Sequence, residues 1–360
     1  MVGVLSGVRV VELAGLGPAP FCCMLLADMG ADVIRVERPG AAKQLKPTDV
    51  LTRGRRVIEL DLKADSGKDS LQALIQRADV LIEGYRPGVM ERLGFGPEFC
   101  HAHNPKLVFA RMTGWGQHGP LALRAGHDIN YIAISGALSA IGPADGPPSI
   151  PLNLIGDFGG GGMMLAMGVL AAVIHARSSG QGQVIDAAMT DGTALLTSMM
   201  WGFMQSGQWK NSRGVNFLDG ASHFYTTYEC ADGKHLSVGA IEPQFYEALL
   251  KGCGLSAQDV PGQYRDENTW QPSKDKLAVI FKQKTRDAWC DWFEGQDVCV
   301  APVLDWEEAL KYSHNIARET FIVLDGVTQP APAPRFERTP SQARSFQVDV
   351  DVDSVLKDWS

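Results

Sequence analysis

The stretch VRVVELAGLGPAPFCCMLLADMGADVIRVE (8–37) decides the fold class. Its two ends, VRVVEL (8–13) and DVIRVE (32–37), are short apolar runs rich in β-branched residues, which is typical of buried strands. The segment between them predicts a helix that stops at a glycine. A strand, a helix and a second strand in this order predict a parallel βαβ unit.

The same alternation continues to residue 116. Apolar runs at RRVIELDL (55–62), DVLIEGY (79–85) and KLVFARMTGWG (106–116) predict three more strands. A helical segment is expected after each of the first two of these runs. Parallel strands need crossover connections, which are usually helices. We therefore expect an α/β fold with a Rossmann-like parallel sheet and helices on both of its faces.

The length of the chain predicts more than one domain, because a single hydrophobic core rarely serves 360 residues. We expect a large Rossmann-like domain at 1–190, a linker helix at 191–222 and a smaller α+β domain at 223–310. Within the smaller domain, HFYTTYECADGKHLSVGAI (223–241) predicts two strands joined by a tight turn. The remainder (311–360) contains a proline-rich connector and is expected to return to the large domain.

The composition excludes several classes of protein. Apolar residues at 45% and charged residues at 21% are typical of a soluble globular chain, and a net charge of −8 disfavours nucleic-acid binding. Seven cysteines without a CxxC pair, and no secretory leader, predict reduced thiols and a cytoplasmic location. The uncharged run 158–174 is slightly short for a membrane span and begins with a cluster of glycines, so we predict a buried core helix and no membrane partner.

Neither a nicotinamide cofactor nor a metal is indicated. The loop AGLGPAP (14–20) lacks the complete G-x-G-x-x-G pattern and has prolines where a phosphate-binding helix would begin. The chain also contains no HExxH pattern and no histidine–carboxylate cluster at metal-ligand spacing.

Arginines near the predicted strand ends indicate a phosphate-bearing ligand. Arg38 follows the second strand and Arg86 follows the fourth, and the carboxyl ends of parallel strands line the ligand crevice in such folds. Arg56 opens the third strand, and Arg92 lies a short distance beyond Arg86. Scattered surface arginines are the alternative explanation.

Three side chains are candidates for acid–base chemistry. His127 lies in AGHDINY (125–131), where Asp128 is expected to cap the helix that follows, leaving His127 either catalytic or structural. Asp157 is expected at the N-cap of a helix that begins with four glycines, each costing about 1 kcal/mol relative to alanine. Either a ligand approaches that helix start closely or two helices pack tightly there. Glu242 precedes Pro243 at a predicted helix start and is either a partner of His127 or a surface cap.

The motifs quoted above, with GYRPGVMERLG (84–94), PLNLIGDFGGGG (151–162) and GAIEPQFY (239–246), resemble those of the α-methylacyl-CoA racemases, which have the family III CoA-transferase fold. The resemblance extends over nearly the whole chain. It implies that the protein epimerises C2 of 2-methyl-branched acyl-CoA thioesters without a cofactor, coenzyme A (CoA) being part of the substrate.

The resemblance also implies roles for individual residues. His127 and Asp157 would be the two bases on opposite faces of C2, and Glu242 would orient His127 from the partner subunit of an interlocked homodimer. N–H groups near Asp157 would stabilise the enolate oxygen. The residues expected to bind CoA are Arg38, Arg56, Glu59, Leu60, Asp61, Leu62, Arg86, Arg92, Met112, Gly126, Asp128, Tyr131 and Asn153.

Two alternatives stay open at this point. A CoA transferase on the same fold would use Asp157 as a nucleophile and would have no evident need for His127 or Glu242. A non-catalytic acyl-CoA-binding protein would bind the thioester without proton exchange.

Overall fold

The computed structural model describes residues 3–260, 266–348 and 350–360. The chain divides into two compact units, each with its own core. The larger unit comprises 1–137, 151–198 and 313–360, and the smaller unit comprises 138–150 and 199–312. The smaller unit thus includes most of the predicted linker and one short loop that the sequence analysis had placed in the large domain.

A six-stranded parallel sheet forms the centre of the larger unit, with the strand order β3-β2-β1-β4-β5-β6. Its strands are β1 (Arg9–Leu13), β2 (Asp32–Glu37), β3 (Arg55–Glu59), β4 (Val80–Glu83), β5 (Val108–Thr113) and β6 (Val184–Ala188). The first five confirm the predicted strands. The sixth strand was not predicted, because VIDAA, on the edge of the sheet, is short and interrupted by an aspartate.

Helices cover both faces of this sheet, as predicted. Alternate residues of β1 point to opposite sides, so that Val10 and Val11 belong to two separate hydrophobic clusters. The helices of the larger unit are α1 (Pro18–Asp28), α2 (Asp65–Ile75), α3 (Val89–Leu93), α4 (Pro97–His103), α5 (Asp128–Ile134), α6 (Met164–Ser179), α7 (Met189–Leu196), α13 (Ser313–Ala317) and α14 (Val352–Asp358).

A wide π-helical segment, Leu154–Met163, runs directly into α6 and is called the glycine segment below. Its N-cap is Asn153, so the prediction that Asp157 is the cap was wrong: Asp157 is the fourth residue of the segment. Close packing explains the glycines. A Cβ on Gly161 would lie 2.9 Å from Met189 of α7, and one on Gly162 would lie 2.7 Å from Phe21 of α1.

The glycine segment and α6 together are long and apolar enough to cross a membrane by length and composition. Of the most apolar window, 44% is buried inside the larger unit, where Leu165 and Val169 are fully enclosed. The opposite side is exposed at Met163, Met167 and Ile174. This helix is therefore a core element on one side and an uncovered apolar surface on the other.

The end of the chain belongs to the larger unit. After the hairpin of β10 (Phe321–Leu324) and β11 (Val327–Pro330), the backbone of Gln347 exchanges hydrogen bonds with Arg55 and Val57 of β3. Trp359, the C-cap residue of α14 (Val352–Asp358), is buried against the same face of the sheet as Val11. The tail therefore returns to the parallel sheet.

The smaller unit contains an antiparallel sheet of order β7-β8-β9, formed by β7 (Tyr225–Glu229), β8 (His235–Gly239) and β9 (Val300–Pro302). The turn between β7 and β8 is the predicted one. Its helices are α8 (Ser198–Gln205), whose first residue lies in the larger unit, α9 (Pro243–Gly252), α10 (Trp270–Phe281), α11 (Arg286–Phe293) and α12 (Trp306–Lys311). Its core is aromatic and includes Phe224, Phe281 and Trp289.

Candidate active site

Two adjoining cavities lie beyond the carboxyl ends of strands in the larger unit, where ligands bind in doubly wound folds. Leu16, in the loop after β1, and Tyr85, in the loop after β4, line both cavities. The first, called the His127 cavity, has a volume of about 300 Å³ and includes His127. The second, called the Arg38 cavity, has a volume of about 600 Å³ and includes Arg38.

The structure brings most of the predicted CoA-binding residues to these two cavities. The His127 cavity is lined by Arg86, Met112, Gly126 and Tyr131 in addition to His127. The Arg38 cavity is lined by Arg38, Leu60, Asp61 and Leu62.

A buried charge network forms part of the wall of the Arg38 cavity, which Arg35 and Glu37 line. Glu12 of β1 is fully buried and accepts hydrogen bonds from Arg35 (2.7 Å) and Arg55 (3.0 Å), while Arg35 also pairs with Glu37 at 2.8 Å. Buried charges of this kind need partners because desolvation is costly. The network fixes the ends of β1 and β2, from which Arg38 projects.

Five predicted CoA-binding residues line neither cavity: Arg56, Glu59, Arg92, Asp128 and Asn153. Arg56 lies at the amino end of β3, away from the cavities, and pairs with Asp32 at 2.6 Å and with Asp358 at 2.7 Å. Glu59 accepts the backbone N–H groups of Gly40 (2.9 Å) and Ala42 (2.8 Å), and these bonds lower the pKa of its exposed carboxyl. It therefore shapes the loop that follows Arg38.

Arg92 is exposed on α3 and lines neither cavity. Its guanidinium would lie 3.2 Å from a Cβ on Gly88, which places it beside the loop that contains Arg86. Arg92 is therefore near the His127 cavity without forming its wall.

His127 is the N-cap residue of α5, and the prediction that Asp128 is the cap was wrong by one position. The backbone N–H of His127 donates to the side chain of Asn130 at 3.0 Å, which fixes the start of the helix. The His127 side chain is exposed at the cavity wall, whereas Asp128 is the first helical residue and is only 6% exposed. The two neighbours thus point into different surroundings.

Asp157 lies close to His127 within the larger unit. Burial raises the pKa of the Asp157 carboxyl, and the negative charge of Asp128 raises it further, whereas the hydrogen bond from Asn153 and the charge of His127 lower it. The Asn153 side chain donates to Asp157 Oδ2 at 3.0 Å, so Asn153 acts on Asp157 and is not part of a cavity wall.

The carboxylate of Asp157 faces the loop after β1. A Cβ on Gly17 would lie 3.4 Å from Asp157 Oδ2, and the neighbours Leu16 and Pro18 both line the His127 cavity. Asp157 also raises the pKa of Tyr131, together with the larger effect of burial, and Tyr131 is another wall residue. A histidine and a half-buried carboxylate thus lie near one cavity, an arrangement suited to moving a proton between two groups.

Glu242 belongs to the smaller unit, where it is the N-cap residue of α9, as predicted. Pro243 is the first helical residue, also as predicted. The carboxylate of Glu242 is exposed and makes no capping hydrogen bond, so Glu242 occupies the surface N-cap position without capping the helix through its side chain.

Several residues of the His127 cavity were not among the predicted site residues, including Trp115, Arg124 and Met189. Trp115 packs edge-on against Tyr131 with ring centroids 4.6 Å apart, and its indole N–H donates to the carbonyl of Arg124 at 3.2 Å. Trp115 could have been found from its position just after β5, because residues there lie at the same carboxyl edge of the sheet as Arg86. No local pattern marked Met189.

Glu83, at the end of β4, was also missed. It is buried, which raises its pKa to about 7, and it lies 3.5 Å from the guanidinium of Arg111. Its carboxylate accepts the N–H of Tyr85 at 2.6 Å. Glu83 therefore holds the loop that carries Tyr85 and Arg86 into the cavities.

Within the ranges that the structure describes, no group of three or more histidine, cysteine, aspartate or glutamate side chains is arranged to hold a metal ion.

Comparison with known proteins identifies the family. Residues 5–348 match the family model described as CoA-transferase family III. The chain is 51% identical to the alpha-methylacyl-CoA racemase of Mus musculus over 94% of this chain and 88% of that protein. It is 48% identical to the racemase of the same name from Homo sapiens, over 94% of this chain and 87% of that protein.

Solved structures show the same fold at lower identity. A CAIB/BAIF family protein from Brucella suis superposes with a TM-score of 0.81 over the whole of both chains at 24% identity. The hypothetical protein Rv3272 from Mycobacterium tuberculosis superposes with a TM-score of 0.83 over 98% of this chain and 99% of that chain, also at 24% identity. The chain therefore belongs to CoA-transferase family III.

Proposed function

We propose that this protein is an α-methylacyl-CoA racemase, which inverts C2 of 2-methyl-branched acyl-CoA thioesters by two-base proton transfer. The observation that carries the proposal is the position of two acid–base groups at one cavity: His127 lines it, and the half-buried carboxylate of Asp157 lies beside its Leu16–Pro18 wall, within electrostatic reach of His127. The identity of about half of all residues with two proteins named alpha-methylacyl-CoA racemase supports it.

In the proposed mechanism, one of the two groups removes the C2 proton and the other returns a proton to the opposite face of the planar enolate. The mechanism requires that the two groups together carry one transferable proton. Burial raises the pKa of the Asp157 carboxyl, which favours its carrying the transferred proton for part of the cycle. No redox or metal cofactor takes part in this scheme.

We assign the CoA portion of the substrate to the two cavities. Arg38 and Arg86 are exposed cations at the Arg38 and His127 cavities, and guanidinium groups bind phosphates by paired hydrogen bonds. The adenosine would lie near Leu60, Asp61 and Leu62, and the thioester would reach the His127 cavity. The shared wall residues Leu16 and Tyr85 support one continuous ligand across both cavities.

The enolate oxygen needs hydrogen-bond donors as negative charge develops on it. The N–H of Asp157 already donates to Asp128 at 2.8 Å. Because this N–H group is already used, any donors to the enolate oxygen from the glycine segment must be other N–H groups near Asp157.

We further propose a homodimer in which Glu242 of one subunit orients His127 of the other. The uncovered apolar residues Met163, Met167 and Ile174 support a second copy of the chain as the neighbour of α6. The exposed carboxylate of Glu242, which makes no capping hydrogen bond, supports a role outside its own helix. A cytoplasmic location is consistent with the free cysteines and remains part of the proposal.

Mixed dimers test the shared site. His127→Ala and Glu242→Ala are each expected to be nearly inactive, but unfolding and refolding them together should restore about a quarter of the wild-type activity, because half of the dimers have one intact site out of two. The measurement is racemase activity before and after mixing. No recovery, with hybrid dimers verified by two affinity tags, would show that Glu242 does not act across the dimer.

Proton exchange tests the reaction itself. One enantiomer of a 2-methylacyl-CoA is incubated with the protein in deuterated water, and mass and optical purity are followed. We expect deuterium at C2 with loss of optical purity and without any acceptor acid. Transfer of CoA to an added carboxylate without exchange would instead indicate a CoA transferase, and binding without either change a non-catalytic acyl-CoA-binding protein.

A further inference from the structure

Asp128 has a connection that its position in α5 does not require. It is 6% exposed, and its Oδ2 accepts the backbone N–H of Asp157 at 2.8 Å, 29 residues further along the chain. Asp157 is the fourth residue of the π-helical glycine segment, so its N–H has no partner within the helix. Asp128 therefore caps a different helix from its own.

The neighbouring backbone is built to admit this carboxylate. A Cβ on Gly156 would lie 2.5 Å from Asp128 Oδ2 and 2.8 Å from its Cγ, closer than real Cβ atoms approach. Any other residue at 156 would push Asp128 away from the Asp157 N–H. Gly156 is therefore needed for the contact between the two aspartates.

The second carboxylate oxygen of Asp128 indicates that this side chain does more than accept the Asp157 N–H. Oδ1 is buried and has no hydrogen-bond partner among the residues that the structure describes. A buried oxygen without a donor is costly, and an uncharged side chain would satisfy the same N–H at a lower cost. A buried carboxylate at this position, despite its free-energy cost, is explained if its negative charge acts on a neighbouring group.

We propose that Asp128 is a positioning residue for Asp157: it holds the Asp157 backbone through the N–H bond and places a fixed negative charge beside the Asp157 carboxyl. This inference rests on the proposed racemisation, in which Asp157 must be able to carry the transferred proton. It assigns Asp128 to the support of a base and not to CoA binding.

The charge has a definite effect on pH dependence. After burial, Asp128 is the other influence that raises the pKa of Asp157, while Asn153 and His127 lower it. Tyr131 is the further titratable group whose pKa is coupled to Asp157. In the two-base scheme, kcat/KM falls at low pH when both bases are protonated, so the acid limb follows the raised pKa of Asp157.

Asp128→Asn tests the charge, because the amide oxygen can still accept the Asp157 N–H. We expect the acid limb of kcat/KM to move to lower pH, since removing the negative charge lowers the pKa of Asp157. Asp128→Ala also removes the acceptor, and we expect it to lose kcat roughly tenfold in addition. Asp128→Ser is the neutral replacement to use if the asparagine variant does not fold.

Asp79→Asn is the matched control. Asp79 accepts the N–H of Arg9 at 2.8 Å at the amino end of β4, away from both cavities, so this variant loses one charge and keeps one bond of the same kind. Its pH profile should equal that of the wild type. An unmoved acid limb in Asp128→Asn would overturn the proposal, whereas absence of racemisation by the wild type would instead reject the function on which it rests.

Discussion

Replacing His127 by alanine is expected to lower kcat for racemisation by about a thousandfold, because one of the two proton-transfer groups is lost. Asp157 remains and can still remove a proton from the enantiomer whose C2 hydrogen faces it. It can return a solvent proton only to that same face. His127→Ala should therefore exchange one enantiomer with deuterated water without inverting it.

The measurement combines chiral analysis with mass spectrometry for each enantiomer separately. CoA affinity should be retained, since Arg38 and Arg86 are untouched. His103→Ala is a suitable control because His103 is exposed on α4 and lines neither cavity. Racemisation by His127→Ala at a near-normal rate would exclude His127 as a base.

Asp157→Asn is expected to cause a loss of similar size, again about a thousandfold in kcat. The asparagine keeps the shape of the side chain and can still accept the hydrogen bond from Asn153, so the glycine segment should stay in place. His127 is then the remaining base. Exchange without inversion should persist for the enantiomer opposite to the one that His127→Ala exchanges.

The complementary pattern is the decisive outcome. Two bases on opposite faces of C2 require that the two variants exchange different enantiomers, with Asp79→Asn behaving as the wild type. Exchange of the same enantiomer by both variants would mean that the two residues act on one face. The two-base assignment would then be wrong, even if both variants lose activity.

The parallel sheet could be predicted because its information is local. The runs that form β1, β2, β4 and β5 are almost entirely buried, so each carries several apolar residues in a short stretch that can be recognised without knowing its neighbours. The positions of Arg38 and Arg86 followed from the same reasoning, since the carboxyl edge of a parallel sheet is fixed once its strands are known.

The parts that could not be predicted depend on contacts between distant residues. Asp128 has the sequence pattern of an N-cap, but its carboxylate is used by Asp157, and the cap position falls to His127. Arg56 opens a strand like any arginine at a sheet edge, yet its partners are Asp32 and Asp358. Such pairings are set by tertiary packing and leave no periodic signal in the sequence.

The start of α5 is connected to both proposed bases. His127 is its cap, and the next residue, Asp128, ties down the backbone of Asp157. The backbone of Asp157 is thus bonded to the residue next to His127, and the two side chains that contact Asp157, those of Asp128 and Asn153, do not include the imidazole. In evolutionary terms, losing the histidine would leave a fully supported aspartate, so a change from proton transfer to aspartate-only chemistry requires no rebuilding of the scaffold.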